Sequence, residues 1–486
     1  MSGRLGARAR VSRERSPGKA PGTTRIARVR GSTIADSDAL DTPRLPGGTA
    51  ATVIAGVLTA VLVLTINAGR LVNAPLTSAG LLWQVYLGSL ALGVAAVVGT
   101  RRWRHPAVWG LLLFWLVGAA WMPYARAIAP DARLAAREIL NLSYCAVLSS
   151  AVLLLGRRAP LFWWRLGWVF ALGLAGSIAV WEMVTMQHLF VDPWPFEPRT
   201  AVATYGNPNN LGILTLSMLV AILAWRAGAR STGLRAFLAV AALAAAGLVI
   251  ASQSRSAVLG LLIVVGLDVA RRLGEHPGVV REVVATRRRL VASLAGLATV
   301  VLIATFVVPP LAARNPVVRM VNAAMQPETA ASDLFRVKVS LLGLRYWRES
   351  GYLGTGAGSF EPLMWNDPNS GIAIEANLHN AFVEMLMQYG IVVFAVFTVL
   401  LVLLVRIWWT TRRPASMRPR VAIVRTELVG HLVVFAALGL TASSALTLTT
   451  WWLVLANACA CAATLADLTS RTRPRPLAAR VPSTVG

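Results

Sequence analysis

AFVEMLMQYGIVVFAVFTVLLVLLVRI, residues 381–407, carries only Glu384 and Arg406 as charged groups, one near each end. About 20 apolar residues suffice to cross a hydrocarbon core of ~30 Å, and backbone groups in lipid must bond within their own segment. This run therefore reads as a membrane-spanning helix. Working outward, comparable runs recur near 49–68, 80–99, 107–125, 138–156, 161–185, 209–226, 233–251, 256–270, 290–311, 427–446 and 449–466. With 56% hydrophobic and 14% charged residues over the whole chain, the expected fold is all-α, a polytopic transmembrane helical bundle of about twelve spans. A count of eleven stays open, because the eighth run is short and the last two are nearly continuous. The chain then divides into a basic, disordered cytoplasmic tail (1–48), spans 1–9 (49–311), a large extracytoplasmic loop (312–380), spans 10–12 (381–466) and a second basic cytoplasmic tail (467–486).

The net charge of +26 rests on 45 arginines and 2 lysines, a bias expected of a G+C-rich bacterial genome. Their placement is more informative than their number. With the N-terminus in the cytoplasm, 35 of the 47 basic residues fall on the cytoplasmic side of a twelve-span topology, and 12 fall outside together with 12 of the 21 acids. That is the positive-inside asymmetry, and it supports both termini inside. Basic inner loops suit anionic lipid headgroups. Nucleic acid is not an expected partner, because the arginines are dispersed over loops without interleaved aromatics. The first 48 residues lack a hydrophobic period and have too long a basic region for a cleavable signal peptide. Cys145, Cys459 and Cys461 all fall within expected spans, which indicates neither a disulfide framework nor a zinc site.

Three polar clusters stand on the expected outer face. The first, Tyr205-Gly206-Asn207-Pro208-Asn209-Asn210, opens span 6, and a turn followed by a helix cap is its plainer reading. The second, Ser252-Gln253-Ser254-Arg255-Ser256, joins spans 7 and 8 tightly and leaves Arg255 at the membrane boundary. A lone arginine there snorkels to headgroups in the simplest case. Held on a rigid helix end beside hydroxyls, its planar fork also suits a phosphate or pyrophosphate.

The third cluster is the long loop, which holds five arginines, one lysine and His379. Leu334, Val337, Leu341 and Leu344 recur at helical spacing after Ser332-Asp333, so 333–347 is expected to be an amphipathic interfacial helix ringed by Arg336, Lys338, Arg345 and Arg348. Gly354-Thr355-Gly356-Ala357-Gly358-Ser359-Phe360 follows no strand and lacks the Lys-Ser/Thr ending of a nucleotide loop. Its glycines are expected to permit a tight backbone path. Leu378-His379-Asn380 closes the loop directly before span 10. Histidines are more often structural than catalytic, but a neutral imidazole beside arginines at a membrane mouth can accept a hydroxyl proton.

In this order and on this topology, the clusters resemble the O-antigen ligase and O-antigen polymerase superfamily of bacterial membrane glycosyltransferases. The resemblance covers roughly 205–404. It rests on Gly206 to Asn209, on Ser254 to Ser256, on Arg336, on Gly354 to Phe360, and on His379-Asn380 followed by a helix with a glycine turn at Gly390. The first four spans show no matching residues. The resemblance implies a polyprenyl-pyrophosphate-linked glycan as donor and a glycan, lipid or protein hydroxyl as acceptor, with the reaction on the outer face of the cytoplasmic membrane. It assigns Arg255 and Arg336 to the pyrophosphate, Arg345 as an auxiliary, and His379 as the base for the acceptor hydroxyl, with inversion at the anomeric carbon. Asn380, Asn207, Tyr205 and Ser254 are weaker candidates for substrate contact. Fixed arginines at the leaving oxygen stabilise developing charge without a metal. No Asp-x-Asp motif stands on the outer face, so neither metal nor cofactor is expected. The prenyl tail would lie in an apolar groove open to lipid. Ligase and polymerase are not separated by these residues, and a twelve-span secondary transporter accounts equally well for the topology alone. Transporters place charges or broken helices near the midplane, whereas the intramembrane ionisable groups read here are chiefly Glu182, Glu384 and His431, all toward span ends.

Overall fold

The computed structural model describes residues 50–69, 86, 88–95, 105–158, 160–190, 200–275, 327–372, 377–411, 419–442 and 445–470. The spans expected at 290–311 and over most of 80–99, the tail before residue 50, the one beyond residue 470, and the loop before residue 327 lie outside the described residues. Every regular element among the described residues is helical. We number them α1 (Ala50–Ala68), α2 (Pro106–Ala127), α3 (Ala132–Arg158), α4 (Leu161–Thr185), α5 (Pro208–Gly228), α6 (Thr232–Ala251), α7 (Arg255–Glu275), α8 (Pro327–Glu349), α9 (Phe360–Asn366), α10 (Ala381–Thr410), α11 (Pro419–Thr441) and α12 (Thr449–Ser470). Among the described residues nine of these, all but α7, α8 and α9, are long and apolar enough to cross a membrane.

Helices in lipid gain little from hydrophobic burial against one another, so close packing and internal polar bonds hold them together. Both devices are visible. A Cβ added at Gly167 of α4 would lie 2.7 Å from Val63 Cβ and 2.9 Å from the Ala60 carbonyl oxygen of α1, so only glycine lets these two helices meet. Around α12 an aromatic stack fills the interior: Phe435 and Trp451 lie face to face at 4.4 Å with Trp452 beside them. The indole N–H groups are satisfied, Trp451 donating to the Phe435 carbonyl and Trp452 to the Leu446 carbonyl, at 2.9 and 2.8 Å.

The helix limits correct four sequence-based expectations. α11 starts at Pro419 rather than 427 and ends at Thr441 rather than 446, a 3-10 turn at Ala445–Thr447 filling the corner before α12. The early start places Glu427 inside the helix, where Arg165 of α4 donates to both of its carboxylate oxygens at 2.6 and 3.1 Å, both side chains being buried. Hydropathy alone puts the start at Glu427 because its partner lies far away in sequence. α3 likewise begins at Ala132, before the expected start at Glu138, and α7 runs from Arg255 to Glu275, its last turns carrying the Asp268–Arg271 and Asp268–Arg272 pairs. One turn beyond Glu427, His431 meets the Asn457 side-chain amide of α12 at 2.6 Å. Intramembrane polar groups are thus more numerous than the sequence reading allowed.

Short connections make successive helices antiparallel, which brings the start of α3, the end of α4, the start of α5, the end of α6 and the start of α7 to one end of the bundle. The loop with α8 and α9 joins them there, since the Ala357 N–H donates to the Ala125 carbonyl at the end of α2 and Gly358 lies against Leu134.

Candidate functional site

At that end, two groups of side chains stand on separate supports. The first begins with the segment 200–206, which is pinned at both sides. Glu182 of α4 accepts the backbone N–H groups of Val202 and Ala203 at 2.9 Å each, and Ala201 N–H donates to the Ala251 carbonyl at the end of α6. Tyr205 donates its hydroxyl to Asn67 Oδ1 of α1 at 2.9 Å. Burial pushes the Tyr205 phenol well above its usual range, so it serves as a neutral hydrogen-bond donor. Gly206 turns the chain with φ +63°, and Asn207 then caps α5, its side chain accepting from Asn209 N–H at 2.8 Å with Pro208 at the first helical position. Turn and cap, the plainer reading of this cluster, accounts for Asn207. Tyr205 ties the segment to α1 and does not face outward.

The α6–α7 corner packs directly on this helix start. A Cβ at Gly212 would fall 2.5 Å from Ser252 Oγ and 2.7 Å from Ala257 Cβ. Ser252 donates to the Val249 carbonyl, and Ser254 accepts from Ala257 N–H, closing the first turn of α7. The buried serines thereby hold the corner, and Arg255, the first residue of α7, stands exposed at its tip.

The second group is built on a break in α10. Gly390 has φ +74° and ψ −176°, which interrupts the helix after Tyr389. The freed carbonyls of Met387 and Gln388 accept the N–H groups of Thr355 and Gly356 at 2.8 and 3.1 Å, and Ile391 N–H donates to the Tyr352 carbonyl. Non-helical backbone at a span is tolerable where other backbone satisfies it, and here the glycine turn does so. Gly354, Gly356 and Gly358 all have positive φ, and a Cβ at Gly354 or Gly356 would lie 2.6–2.7 Å from neighbouring backbone. Gln388 completes the joint, accepting from Gly358 N–H at 2.9 Å and donating to Glu384. Its only sequence signal is its position four residues after Glu384. The expectation of a tight backbone path through these glycines holds.

The short half-helix from Ala381 to Tyr389 carries His379 at its head. Asn380 caps it, accepting from the N–H groups of Phe382 and Val383 at 3.1 and 3.2 Å, which fixes the residue just before it. His379 itself has φ +51°, a left-handed conformation that costs energy for a residue with a Cβ and is held by its surroundings. Leu378 anchors it from the other side by filling the hollow left at Gly343 of α8. Arg336, also on α8, lies close enough to act on the imidazole. Burial, then the Arg336 charge, push the His379 pKa down to about 4, so the ring is neutral near pH 7.

α8 runs from Pro327 to Glu349, longer than the expected 333–347. Val339, Leu342 and Tyr346 pack against Leu378, Met387 and the start of α10, whereas Leu334, Val337 and Leu341 are exposed. The apolar row that predicted the helix therefore faces away from the protein. Arg345 pairs with Asp367 and reaches Glu349 at 3.7 Å, while Tyr346 donates to the same Asp367 oxygen at 2.9 Å. This guanidinium fastens α8 to the turn after α9, a structural use that the auxiliary role expected of Arg345 did not foresee. Lys338 likewise donates to the Gly371 carbonyl.

Of the expected residues, Arg336 and His379 are brought together, and Arg255 sits in the α5–α6–α7 corner at the same end. α11, which packs on α5, α7 and α10, joins the two groups. Asn207, Asn380 and Ser254 act as caps. Glu182, which pins Val202 and Ala203, was visible in the sequence only as a charge near a span end. No curated protein matches the chain. Residues 239–398 of the 486 match the family model described as O-antigen ligase, a stretch that contains Arg255, Arg336 and His379 and excludes Tyr205 and Asn207. Over that stretch, 160 of the 486 residues, the chain is similar to the O-antigen ligase family.

Proposed function

We propose that this multi-pass membrane protein transfers a glycan from a polyprenyl-pyrophosphate donor to an acceptor hydroxyl on the outer face of the bacterial cytoplasmic membrane. The observation that carries the reading is the convergence of Arg336 on a neutral, conformationally strained His379 at the head of a broken span, within the segment that matches the ligase family. Breaking the anomeric C–O bond leaves charge on the pyrophosphate. Arg255 and Arg336 bind and neutralise that charge, as oriented donors do best in a water-poor site. His379 takes the proton of the acceptor hydroxyl as that oxygen attacks, and direct attack inverts the anomeric carbon. A bound pyrophosphate offsets the Arg336 charge that depresses His379, so the imidazole gains basicity when the donor is in place. This chemistry asks for no metal.

The transporter alternative draws on the same broken helix. Here the break at Gly390 is filled by backbone of residues 352–356, which leaves the exposed carbonyls of a solute site already satisfied. Reconstitution with a polyprenyl-pyrophosphate glycan and candidate acceptors tests the proposal. Arg255→Ala, Arg336→Ala and His379→Ala should each abolish product while inserting normally. Full turnover by the His379→Ala protein removes the base, and wild-type turnover by Arg336→Lys reduces paired hydrogen bonding to generic charge.

A further inference from the structure

Two acids stand behind the joint that carries His379, and the chemistry proposed above uses neither. Glu138 lies on α3 one turn after Leu134, the residue against which Gly358 packs. Gly358 N–H donates to Gln388 Oε1 at 2.9 Å, and Gln388 Nε2 donates to Glu384 Oε1, one turn earlier in the half-helix, at 3.3 Å. α3, the glycine turn and the half-helix therefore meet at one place, with a carboxyl group on each of the two helices. The charges of Glu138 and Glu384 act on each other, and both act on Tyr389, the last residue before the break in α10. Among the described residues no ion pair forms to either carboxyl, and the cation that acts on Glu138 is its exposed neighbour Arg137. Other charged and titratable groups nearby are engaged elsewhere or exposed. Arg336 of α8 acts on His379, Arg345 pairs with Asp367, Tyr124 and Arg126 of α2 are exposed, His431 of α11 meets Asn457, and Cys145, two turns further along α3, faces Thr447 and Thr449.

Glu138 Oε1 and the Tyr389 hydroxyl are buried yet meet no hydrogen-bond partner, and Tyr389 is only 2% exposed. A buried carboxylate without a partner is strongly disfavoured, and two that act on each other do not both ionise. The set consists of acceptors in want of a donor, and a proton supplies one. We propose that Glu138 and Glu384 share one hydrogen, and that this bond between a carboxylic acid and a carboxylate, with the Tyr389 hydroxyl beside it, ties α3 to the half-helix and holds His379 in place. The two acids are positioning residues, acting through the half-helix and not on the reacting atoms. The effect on transfer rests on the transferase reading above, whereas the tie itself does not. An O–H···O⁻ bond is short and strong, ~2.5–2.7 Å. Free glutamates, which titrate near ~4.3, have released their protons at neutral pH, so closing the tie takes up one proton and opening it gives that proton back. Opening therefore becomes about tenfold easier for each unit that the pH rises above ~4.3, until the closed pair itself loses its hydrogen. The backbone bonds at the same joint, from Thr355 and Gly356 to Met387 and Gln388, hold no titrating proton and bring no such slope.

Amide hydrogen exchange of the full chain in lipid nanodiscs, corrected for the intrinsic effect of pH, tests the tie. In the wild type, protection over 381–389 should fall about tenfold for each unit between pH ~6 and ~8, while protection of the opening turns of α4 stays level. Glu138→Gln and Glu384→Gln each place an amide donor beside the remaining carboxylate without a proton to lose, so each should flatten the slope. Should one variant fail to insert, the other carries the test, because either removes the shared hydrogen. A flat wild-type profile, or a slope that survives in a glutamine variant, overturns the tie. Loosening of 381–389 by a chelator at constant pH overturns it too, since a bound cation then stands where the hydrogen was placed. A parallel transfer assay separates the two ideas: the alkaline limb of kcat should move to higher pH in the glutamine variants. Transfer with a flat exchange profile removes the tie alone, and the exchange slope without any transfer removes the transferase reading while leaving the tie.

Discussion

Gly390→Ala tests whether the joint between α10 and the glycine turn positions the chemistry. A Cβ at this position would stand 2.2 Å from the Leu353 carbonyl oxygen, so the variant cannot keep the loop where it is. The φ of +74° adds a penalty of ~1–2 kcal/mol for a residue with a Cβ. If the loop lifts away, three backbone bonds go with it, from Thr355, Gly356 and Ile391, at ~0.5–1.5 kcal/mol each. The combined cost of about 3–6 kcal/mol falls on one joint rather than on the bundle. His379 sits at the head of the half-helix that this joint holds, and misplacement by ~1 Å costs about 100-fold in rate. The expected result is a protein that inserts and purifies normally, transfers glycan at least about 100-fold more slowly, and exchanges the amide hydrogens of Thr355 and Gly356 rapidly. Gly118→Ala, where a Cβ meets nothing within 4 Å, serves as the matched control. Turnover within about twofold of wild type, with those amides still protected, would refute the argument that the broken span positions the base.

Three further outcomes are expected. Because His379 titrates near 4 in the folded protein against ~6.5 for a free imidazole, its contribution to stability is complete above pH ~6.5 and is lost as the pH falls toward 4; the acid limb of kcat/KM should sit below pH 5 and move upward in Arg336→Gln, and a wild-type limb centred near 6.5 removes the Arg336–His379 coupling. Glu427→Gln leaves Arg165 without its counter-charge and should destabilise the bundle by roughly 3–5 kcal/mol in detergent melts, whereas Arg165→Met combined with Glu427→Leu should melt near wild type; equal melting of single and double variants contradicts the account. Asp367→Asn removes the counter-charge of Arg345 and should loosen α8, lowering kcat severalfold with less change in KM; unchanged protease sensitivity of 327–349 and unchanged kcat would sink that role.

How much of this was legible in the sequence depends on the range over which each signal acts. Apolar runs report a local property, the cost of exposing backbone in lipid, and nine of the expected runs coincide with helices long and apolar enough to cross a membrane among the described residues. They misplaced the start of α11 because the cost of burying Glu427 is cancelled by Arg165, 262 residues away in the chain, and no local window contains that cancellation. His379 and Arg336 stood out in the sequence because polar loop residues beside spans are few, and the structure places the two near each other. Arg345 shows the complementary case, since an arginine looks the same in sequence whether or not it pairs with a residue such as Asp367. The glycine turn was recognised as a tight path, yet the break at Gly390 that receives it became meaningful only when the carbonyls of Met387 and Gln388 were seen to accept its N–H groups.

These partners divide the work between the two ends of the bundle. The Arg165–Glu427 pair lies in the opening turns of α4 and α11, away from the site, where a closed and buried bond can hold helix packing without touching chemistry. The His379 end is held mostly by backbone, with caps at Asn207, Ser254 and Asn380, the pinned segment 201–203 and the loop seated in the α10 break, together with the Arg345–Asp367 pair that fastens α8. Backbone bonds and neutral caps bring no net charge with them, so they would not offset the attraction of a nearby arginine for an anion. An acid placed there as a structural tie would weaken that attraction at a few ångströms. Of the acids at this end, Asp367 is offset by Arg345, Glu384 accepts from Gln388, and the fully buried Glu182 spends one oxygen on two backbone donors while the other faces His188 at 3.5 Å.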